Sequence, residues 1–129
     1  NPHAVVFVDD LTDAGDLLAP PQVAPASAFP HGVNVEFVVD IAPAHVAMRV
    51  HERGSGETRS CGTGAAAVAV AARRRAAGGG ALSDVPAEWI VDVPGGRLTV
   101  TEHPDGDVVL AGPAVLVASG QVDLDRIGR

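Results

Sequence analysis

The sequence predicts an α+β fold in which a mostly antiparallel β sheet or barrel wraps around one central, buried helix. Short runs of β-branched residues, separated by glycine and proline turns, indicate strands at hairpin spacing. One alanine-rich stretch, residues 65–77, is apolar on all sides in its first half, so we expect a helix that is buried all round. The 129 residues suit a single domain, and the 47% hydrophobic content is typical of a folded chain.

The first half of the chain predicts three strands. Ala4–Val8 is a β-branched and aromatic run that indicates a strand, whereas residues 11–19 are only weakly helical. Residues 20–30 form a loop because prolines interrupt them repeatedly. Residues 33–41 and 45–52 are then expected to pair as a hairpin.

The second half predicts the helix and further hairpins. A polar loop with two glycines, residues 53–60, leads into the helix, and Gly78 ends it after a run of arginines that complements the helix dipole. Four short strands are expected to follow, at residues 88–93, 97–102, 108–111 and 114–121.

Composition excludes several functional classes. The net charge of −7 argues against nucleic acid or an anionic membrane as a partner. All nine basic residues are arginine, so the chain cannot form a lysine Schiff base and has no P-loop lysine. No apolar run is long enough to span a bilayer, and no basic, apolar leader is visible at the start. A single cysteine fits a reducing, cytoplasmic location and rules out a four-thiolate zinc site.

Cys61 is the strongest catalytic candidate. It stands at the expected start of the helix, where unpaired backbone N–H groups and the dipole favour a thiolate. Gly62 and Gly64 allow a carboxylate to approach the same N–H groups closely. The alternative is a buried, inert cysteine in a tight turn.

Glu52 and Arg53 form a second candidate pair. Glu52 shares the strand parity of the apolar residues Val46, Met48 and Val50, and a carboxylate on that face is costly unless it is paired or functional. Arg53 is suited to bind a substrate carboxylate or to neutralise Glu52. The alternative is an ion pair at the rim of the sheet.

The remaining polar candidates are weaker. His3 has the inward parity of its strand, so it is either a base beside the thiol or a satisfied polar group. Asn34 looks like an ordinary residue on a polar strand face. His45 and His51 are six strand residues, roughly 20 Å, apart and cannot share a metal, so no metal site is expected.

Several short motifs occur together in one order, and the set is more specific than any of its parts. Its order and spacing resemble the C-terminal half of bacterial diaminopimelate epimerase, essentially from end to end of this chain. The motifs are Asn1-Pro2-His3-Ala4, Gly32-Val33-Asn34-Val35-Glu36-Phe37, Glu52-Arg53-Gly54, Gly56-Glu57-Thr58, Cys61-Gly62-Thr63-Gly64-Ala65, Pro94-Gly95-Gly96 and Gly112-Pro113-Ala114.

The resemblance implies an isomerase of lysine and peptidoglycan-precursor biosynthesis that uses no cofactor. Such enzymes interconvert LL- and meso-diaminopimelate with two cysteines on opposite faces of the α-carbon. Cys61 matches the second cysteine, the proton acceptor. The resemblance also assigns the other site residues: Gly62 and Thr63 to the α-carboxylate; Asn1, Asn34, Glu52 and Arg53 to the distal end of the substrate; and His3 and Glu52 to the tuning of the cysteines.

Two departures from the family pattern lead to further expectations. The first cysteine lies in the family's N-terminal half, which this sequence does not include, so we expect an isolated C-terminal domain that is inactive alone. Ala118 replaces an aromatic residue that supports the family's dimer, which puts a homodimer of that kind in doubt.

Three other functions are compatible with the sequence. A proline racemase-like or hydroxyproline epimerase-like domain belongs to the same fold group. A non-catalytic domain with an inert Cys61 is the second, and a Cys–His hydrolase, which would need a histidine beside Cys61 in space, is the third.

Overall fold

Seven strands and one α-helix make up the fold in residues 1–124, the part of the chain that the computed structural model describes. Three short 3₁₀ turns, Leu11–Ala14, Ala26–Ala28 and Leu82–Asp84, lie in the connections. The strands and the helix are β1 (His3–Phe7), β2 (Asn34–Ala42), β3 (His45–Glu52), β4 (Gly56–Thr58), α1 (Gly62–Ala77), β5 (Glu88–Val93), β6 (Gly96–Glu102) and β7 (Val108–Ala111).

The strands form a single mixed sheet in the order β1-β2-β3-β5-β6-β7, with β4 paired to β3. Four pairs are antiparallel, whereas β1 with β2 and β3 with β5 are parallel. Since β1 and β7 lie at opposite ends of this order, the sheet formed by the described residues is not closed into a barrel. The predicted α+β class and central helix are confirmed, and the open sheet decides between the sheet and barrel alternatives.

The helix α1 lies in the concave side of the sheet and contacts six of the strands. One face is buried and includes Ala65, Val68, Ala69 and Ala72. The opposite face, at positions 66, 67, 70 and 71, is half-buried. The expectation of a helix buried all round is therefore wrong, because an open sheet covers only one side. No helix within residues 1–124 combines the length and apolarity needed to cross a membrane.

The β2–β3 hairpin supplies much of the core and forms as predicted. Val46, Met48 and Val50 are at most 1% exposed and pack against α1. His51 breaks the expected alternation, because it is also buried and its Nδ1 donates to the Leu17 carbonyl at 2.7 Å. Leu17, itself 1% exposed, belongs to the segment expected to be weakly helical, where the structure has only the 3₁₀ turn at Leu11–Ala14.

The strand expected at residues 114–121 is not formed. The described residues beyond β7 make no strand, and Val115, Leu116 and Val117 are 79–90% exposed. A strand is stabilised by pairing with a neighbour, and no described strand pairs with this segment. Its β-branched composition therefore misled the prediction.

Buried and exposed ion pairs at the end of α1 should differ strongly in their effect on stability. Glu102 accepts from Arg73 at 3.1 Å, and both side chains are 11% exposed. Glu102→Ala would leave the buried charge of Arg73 without its acidic partner and should lower the free energy of unfolding by about 3 kcal/mol. As a control, Asp40→Ala removes an exposed pair with Arg75 and should cost under about 1 kcal/mol. Urea denaturation measures both, and equal losses would contradict the expectation.

Asp92 on β5 forms hydrogen bonds with a residue on each neighbouring strand, His45 on β3 and Arg97 on β6. Hydrogen bonds from Arg97, and then from His45, lower the pKa of Asp92 to about 2. A depressed folded-state pKa stabilises the fold above the unfolded-state value, and that contribution is lost as the pH falls from about 4 to about 2. Because the side chain is one-third exposed, Asp92→Asn should cost only about 1 kcal/mol at about pH 5. Denaturation curves should show this difference shrinking towards pH 2, and a difference that grows on acidification would contradict it.

Candidate active site

Cys61 caps the N-terminus of α1, as the sequence predicts. Its carbonyl accepts from the Ala65 N–H at 2.8 Å, which begins the helix. The side chain is 6% exposed and borders the hydrophobic core, yet it also has polar neighbours. Asn34 Nδ2 lies 3.9 Å and Thr63 Oγ1 lies 3.7 Å from the sulfur. The thiol is therefore at the helix start and not sealed among methyl groups alone.

The parallel pairing of β1 with β2 brings the next group of polar residues to Cys61. His3 is in register with Asn34, and Glu36 lies two residues further along β2. His3 Nδ1 is 2.6 Å from Glu36 Oε1, and His3 Nε2 is 3.1 Å from Thr63 Oγ1. Contacts at these distances link Glu36, His3, Thr63 and Cys61 into one connected cluster.

Glu36 is the member of this cluster that sequence reasoning missed. It is 0% exposed, and its Oε2 has no hydrogen-bond partner among the described residues. Burial raises the pKa of the Glu36 carboxyl above its usual range, the contact with His3 acts in the opposite direction, and the nearby charge of Glu52 raises it further. The available signal was a carboxylate inside an otherwise apolar strand. The sequence pattern conceals it, because Asn34, two residues earlier on the same face of β2, suggests that this face is exposed.

Asn34 is in fact buried, at 5% exposure, so its interpretation as an ordinary polar-face residue is wrong. Both faces of β2 are covered, because Val35 and Val38 are buried as well. The Arg53 backbone N–H donates to Asn34 Oδ1 at 2.9 Å. This bond orients the amide so that Nδ2 points towards Cys61.

An ion pair between Glu52 and Arg53, one of the alternatives that the sequence leaves open, is not among the contacts of residues 1–124. Glu52 instead accepts from the Thr58 hydroxyl. The Arg53 guanidinium donates to the His31 carbonyl at 2.8 Å and lines a cavity of about 230 Å³ beneath the proline-containing loop. The structure thus brings the Arg53 backbone to the Cys61 cluster and leads its side chain away from it.

The remaining predicted site residues lie on the surface. Asn1, Gly62 and Thr63 are exposed. Gly62 and Thr63 occupy the first turn of α1, where backbone N–H groups have no partner within the helix. This turn is therefore open to an anion from solvent.

Gly64 leaves the space in which Glu36 and Cys61 meet. A Cβ at this position would lie 2.8 Å from Glu36 Oε1 and 3.2 Å from Cys61 Sγ. Both distances are shorter than normal van der Waals contact, so only glycine fits without moving one of the two side chains.

Comparisons with known proteins show which family the chain belongs to. The family model described as diaminopimelate epimerase matches residues 1–117. The chain belongs to the diaminopimelate epimerase family. Among curated relatives, the diaminopimelate epimerase of Streptomyces coelicolor is 67% identical over 123 residues, which cover 95% of this chain and 43% of the relative. That of Alkalilimnicola ehrlichii is 44% identical, over 97% of this chain and 43% of the relative.

This chain thus spans about two-fifths of the length of the epimerases it matches. Among solved structures, a phenazine biosynthesis protein of the PhzF family from Bacillus anthracis matches with 22% identity and a TM-score of 0.42. That match covers 60% of this chain and 24% of the other.

The two glycines at the start of α1 offer a matched test of the packing between Glu36 and Cys61. Gly64→Ala should lower the free energy of unfolding by about 1–3 kcal/mol, because its Cβ overlaps Glu36. At Gly62 a Cβ would meet only Leu110, at 3.9 Å, so Gly62→Ala should leave stability unchanged or raise it by up to about 1 kcal/mol. Chemical denaturation measures both. Equal stability of the two variants would show that the site has room for a methyl group.

Proposed function

We propose that this chain supplies one of two acid/base cysteines in the epimerisation of LL-diaminopimelate to meso-diaminopimelate, an isomerase reaction without a cofactor. The observation that carries the proposal is the position of Cys61 at the N-terminus of α1, in contact with Asn34 and Thr63. The family membership of the chain and the names of its relatives support the same reaction.

The proposed reaction requires a proton to leave one face of the α-carbon and another to arrive on the opposite face. The Cys61 thiolate removes the α-proton, and the thiol of the second cysteine delivers a proton from the far side. After one turnover Cys61 is a thiol and the partner cysteine is a thiolate, so the site is ready for the reverse direction. Return of a proton to the original face would restore the starting stereoisomer.

The open first turn of α1 gives the substrate its proposed anchor. The N–H groups of Gly62 and Thr63 hold the α-carboxylate, where the helix dipole also favours negative charge. A carboxylate held there brings the α-carbon next to Cys61. The distal amino-acid end is proposed to reach Asn1, Asn34, Glu52 and Arg53.

We further propose that this chain corresponds to the C-terminal half of the enzyme and that the N-terminal half supplies the second cysteine. Two observations support a half-enzyme: relatives are more than twice as long as the matched region, and the chain contains a single cysteine. Its assignment to the C-terminal half rests on the match of Cys61 to the second cysteine of the family. The cytoplasm suits such an enzyme, because a reducing compartment keeps both thiols free. Ala118 lies in the exposed segment beyond β7, so a dimer of the family type has no aromatic residue there.

An inert Cys61 is the second candidate function, favoured by its 6% exposure and its contact with the core. The polar neighbours of the sulfur and its position on a helix N-terminus argue for the reactive alternative. A Cys–His hydrolase is less well supported, because His3 contacts Thr63 and Glu36 and not the sulfur directly.

The chain alone should not invert diaminopimelate, because it supplies one thiol where two are required. Incubation with LL-diaminopimelate in deuterated water, followed by chiral separation, should yield no deuterated meso product. Inversion by this chain with no other protein present would contradict the two-cysteine mechanism.

A hybrid enzyme supplies the positive test. Replacing the matched 123 residues of the Streptomyces coelicolor relative with this chain should yield an active epimerase. Cys61→Ser in the hybrid should slow inversion by about 10²–10⁴-fold, the usual contribution of a positioned acid or base. The matched control is Ser83→Ala, a substitution on the exposed 3₁₀ turn after α1. Full activity of the Cys61→Ser hybrid would favour the inert alternative.

A further inference from the structure

Glu36 is the one fully buried acidic residue of the Cys61 cluster, and the proposed reaction does not use it. Its carboxylate reaches Cys61 only through intermediates: 2.6 Å from Oε1 to His3 Nδ1, 3.1 Å from His3 Nε2 to Thr63 Oγ1, and 3.7 Å from Thr63 Oγ1 to Cys61 Sγ. These three contacts cross from β2 through β1 to the first turn of α1.

The chemistry of the groups gives each contact a direction. With Glu36 ionised, its carboxylate only accepts hydrogen bonds, so His3 Nδ1 then carries a hydrogen and donates to Glu36. The other nitrogen of a neutral imidazole has a lone pair, so Nε2 accepts from the Thr63 hydroxyl. The Thr63 oxygen is then free to accept from the Cys61 thiol.

We propose that Glu36 is a positioning residue that holds His3 so that His3, through the Thr63 hydroxyl, takes up the proton that Cys61 releases. The S–H bond of Cys61 breaks as an O–H bond forms at Thr63, and the former hydroxyl proton of Thr63 moves to His3 Nε2. The products are a thiolate and an imidazolium, and the net charge of the cluster is unchanged. The inference rests on the proposed function for the role of that thiolate in the reaction.

The surroundings of Glu36 support this role. An unpaired carboxylate in an apolar core is strongly disfavoured, so its presence there calls for a compensating partner, and His3 is the one it contacts. Side chains with titratable groups face Glu36 from three elements: His3 on β1, Glu52 on β3 and Cys61 at the start of α1. Glu52 disfavours the charge on Glu36, whereas His3 is the side chain that favours it, together with a backbone hydrogen bond.

A proton path through His3 and a direct electrostatic effect of Glu36 on the sulfur would change the ionisation of Cys61 in opposite directions. A negative Glu36 that acted directly on the nearby sulfur would oppose the thiolate, so its removal would ease ionisation of Cys61. A Glu36 that acts through His3 favours the imidazolium and with it the thiolate, so its removal would hinder ionisation. The sign of a single measurement therefore separates the two effects.

The test is the rate of Cys61 alkylation by iodoacetamide as a function of pH. Glu36→Gln should move the midpoint of the profile up by about one pH unit, which is about a tenfold slower rate below the midpoint. The plateau rate at high pH should not change, whereas a loosened structure would raise it. The matched control is Asp92→Asn, which alters the His45–Asp92 pair at another part of the sheet and should leave the profile unchanged. A downward shift, or no shift, in Glu36→Gln overturns the proposal.

Variants of exposed Thr63 keep the test decisive if Glu36→Gln does not fold. Thr63→Val retains the shape and removes the hydroxyl, so it should raise the midpoint by a similar amount. Thr63→Ser retains the hydroxyl and should behave like the parent chain. A parental profile in Thr63→Val overturns the path through this hydroxyl.

A His3→Ala background shows whether Glu36 acts through His3. In that background Glu36→Gln should cause no further shift, and a persistent upward shift would overturn the assigned role of His3. Failure of the proposed function is a separate result, because it appears as retained activity in the Cys61→Ser hybrid whatever the alkylation profiles show.

Discussion

The hydrogen bond between His3 and Glu36 is the contact on which the arrangement of the site depends. It joins β1 to β2 at the point where both strands pass the N-terminus of α1, and it turns the second nitrogen of His3 towards the first turn of the helix. Without it, a buried carboxylate would have no partner and the imidazole would keep only its contact with Thr63. The geometry around Cys61 follows from this contact and from the absence of a side chain at Gly64.

The sequence was sufficient to predict those parts of the fold that depend on local patterns. The hairpin of β2 and β3, the start of α1 at Cys61 and its end at Gly78 all follow from periodicity and from capping preferences. The strand at residues 114–121 failed because β propensity describes a residue's fit to a sheet and cannot supply a pairing partner. The expectation of a helix buried on all sides failed for a related reason, since burial depends on how far the sheet curves around α1.

The site was only partly predictable, for reasons that also concern long-range contacts. Cys61 was found from its position before the helix, and His3 from its parity on β1. Asn34 and Glu36 were misjudged or missed because alternation distinguishes buried from exposed faces only when one face of a strand meets solvent. At residues 34–36 of β2 both faces are covered, so a polar residue on either face is buried there, and its role depends on partners distant in sequence.

The most direct test of the central contact is the position of the hydrogen on the neutral His3 ring, measured by long-range ¹H–¹⁵N correlation NMR. The proposed proton path predicts that the hydrogen is on Nδ1, held by the Glu36 carboxylate, and that Nε2 is unprotonated and accepts from Thr63. A neutral ring with its hydrogen on Nε2 would reverse the direction of both bonds and would contradict this account of the site.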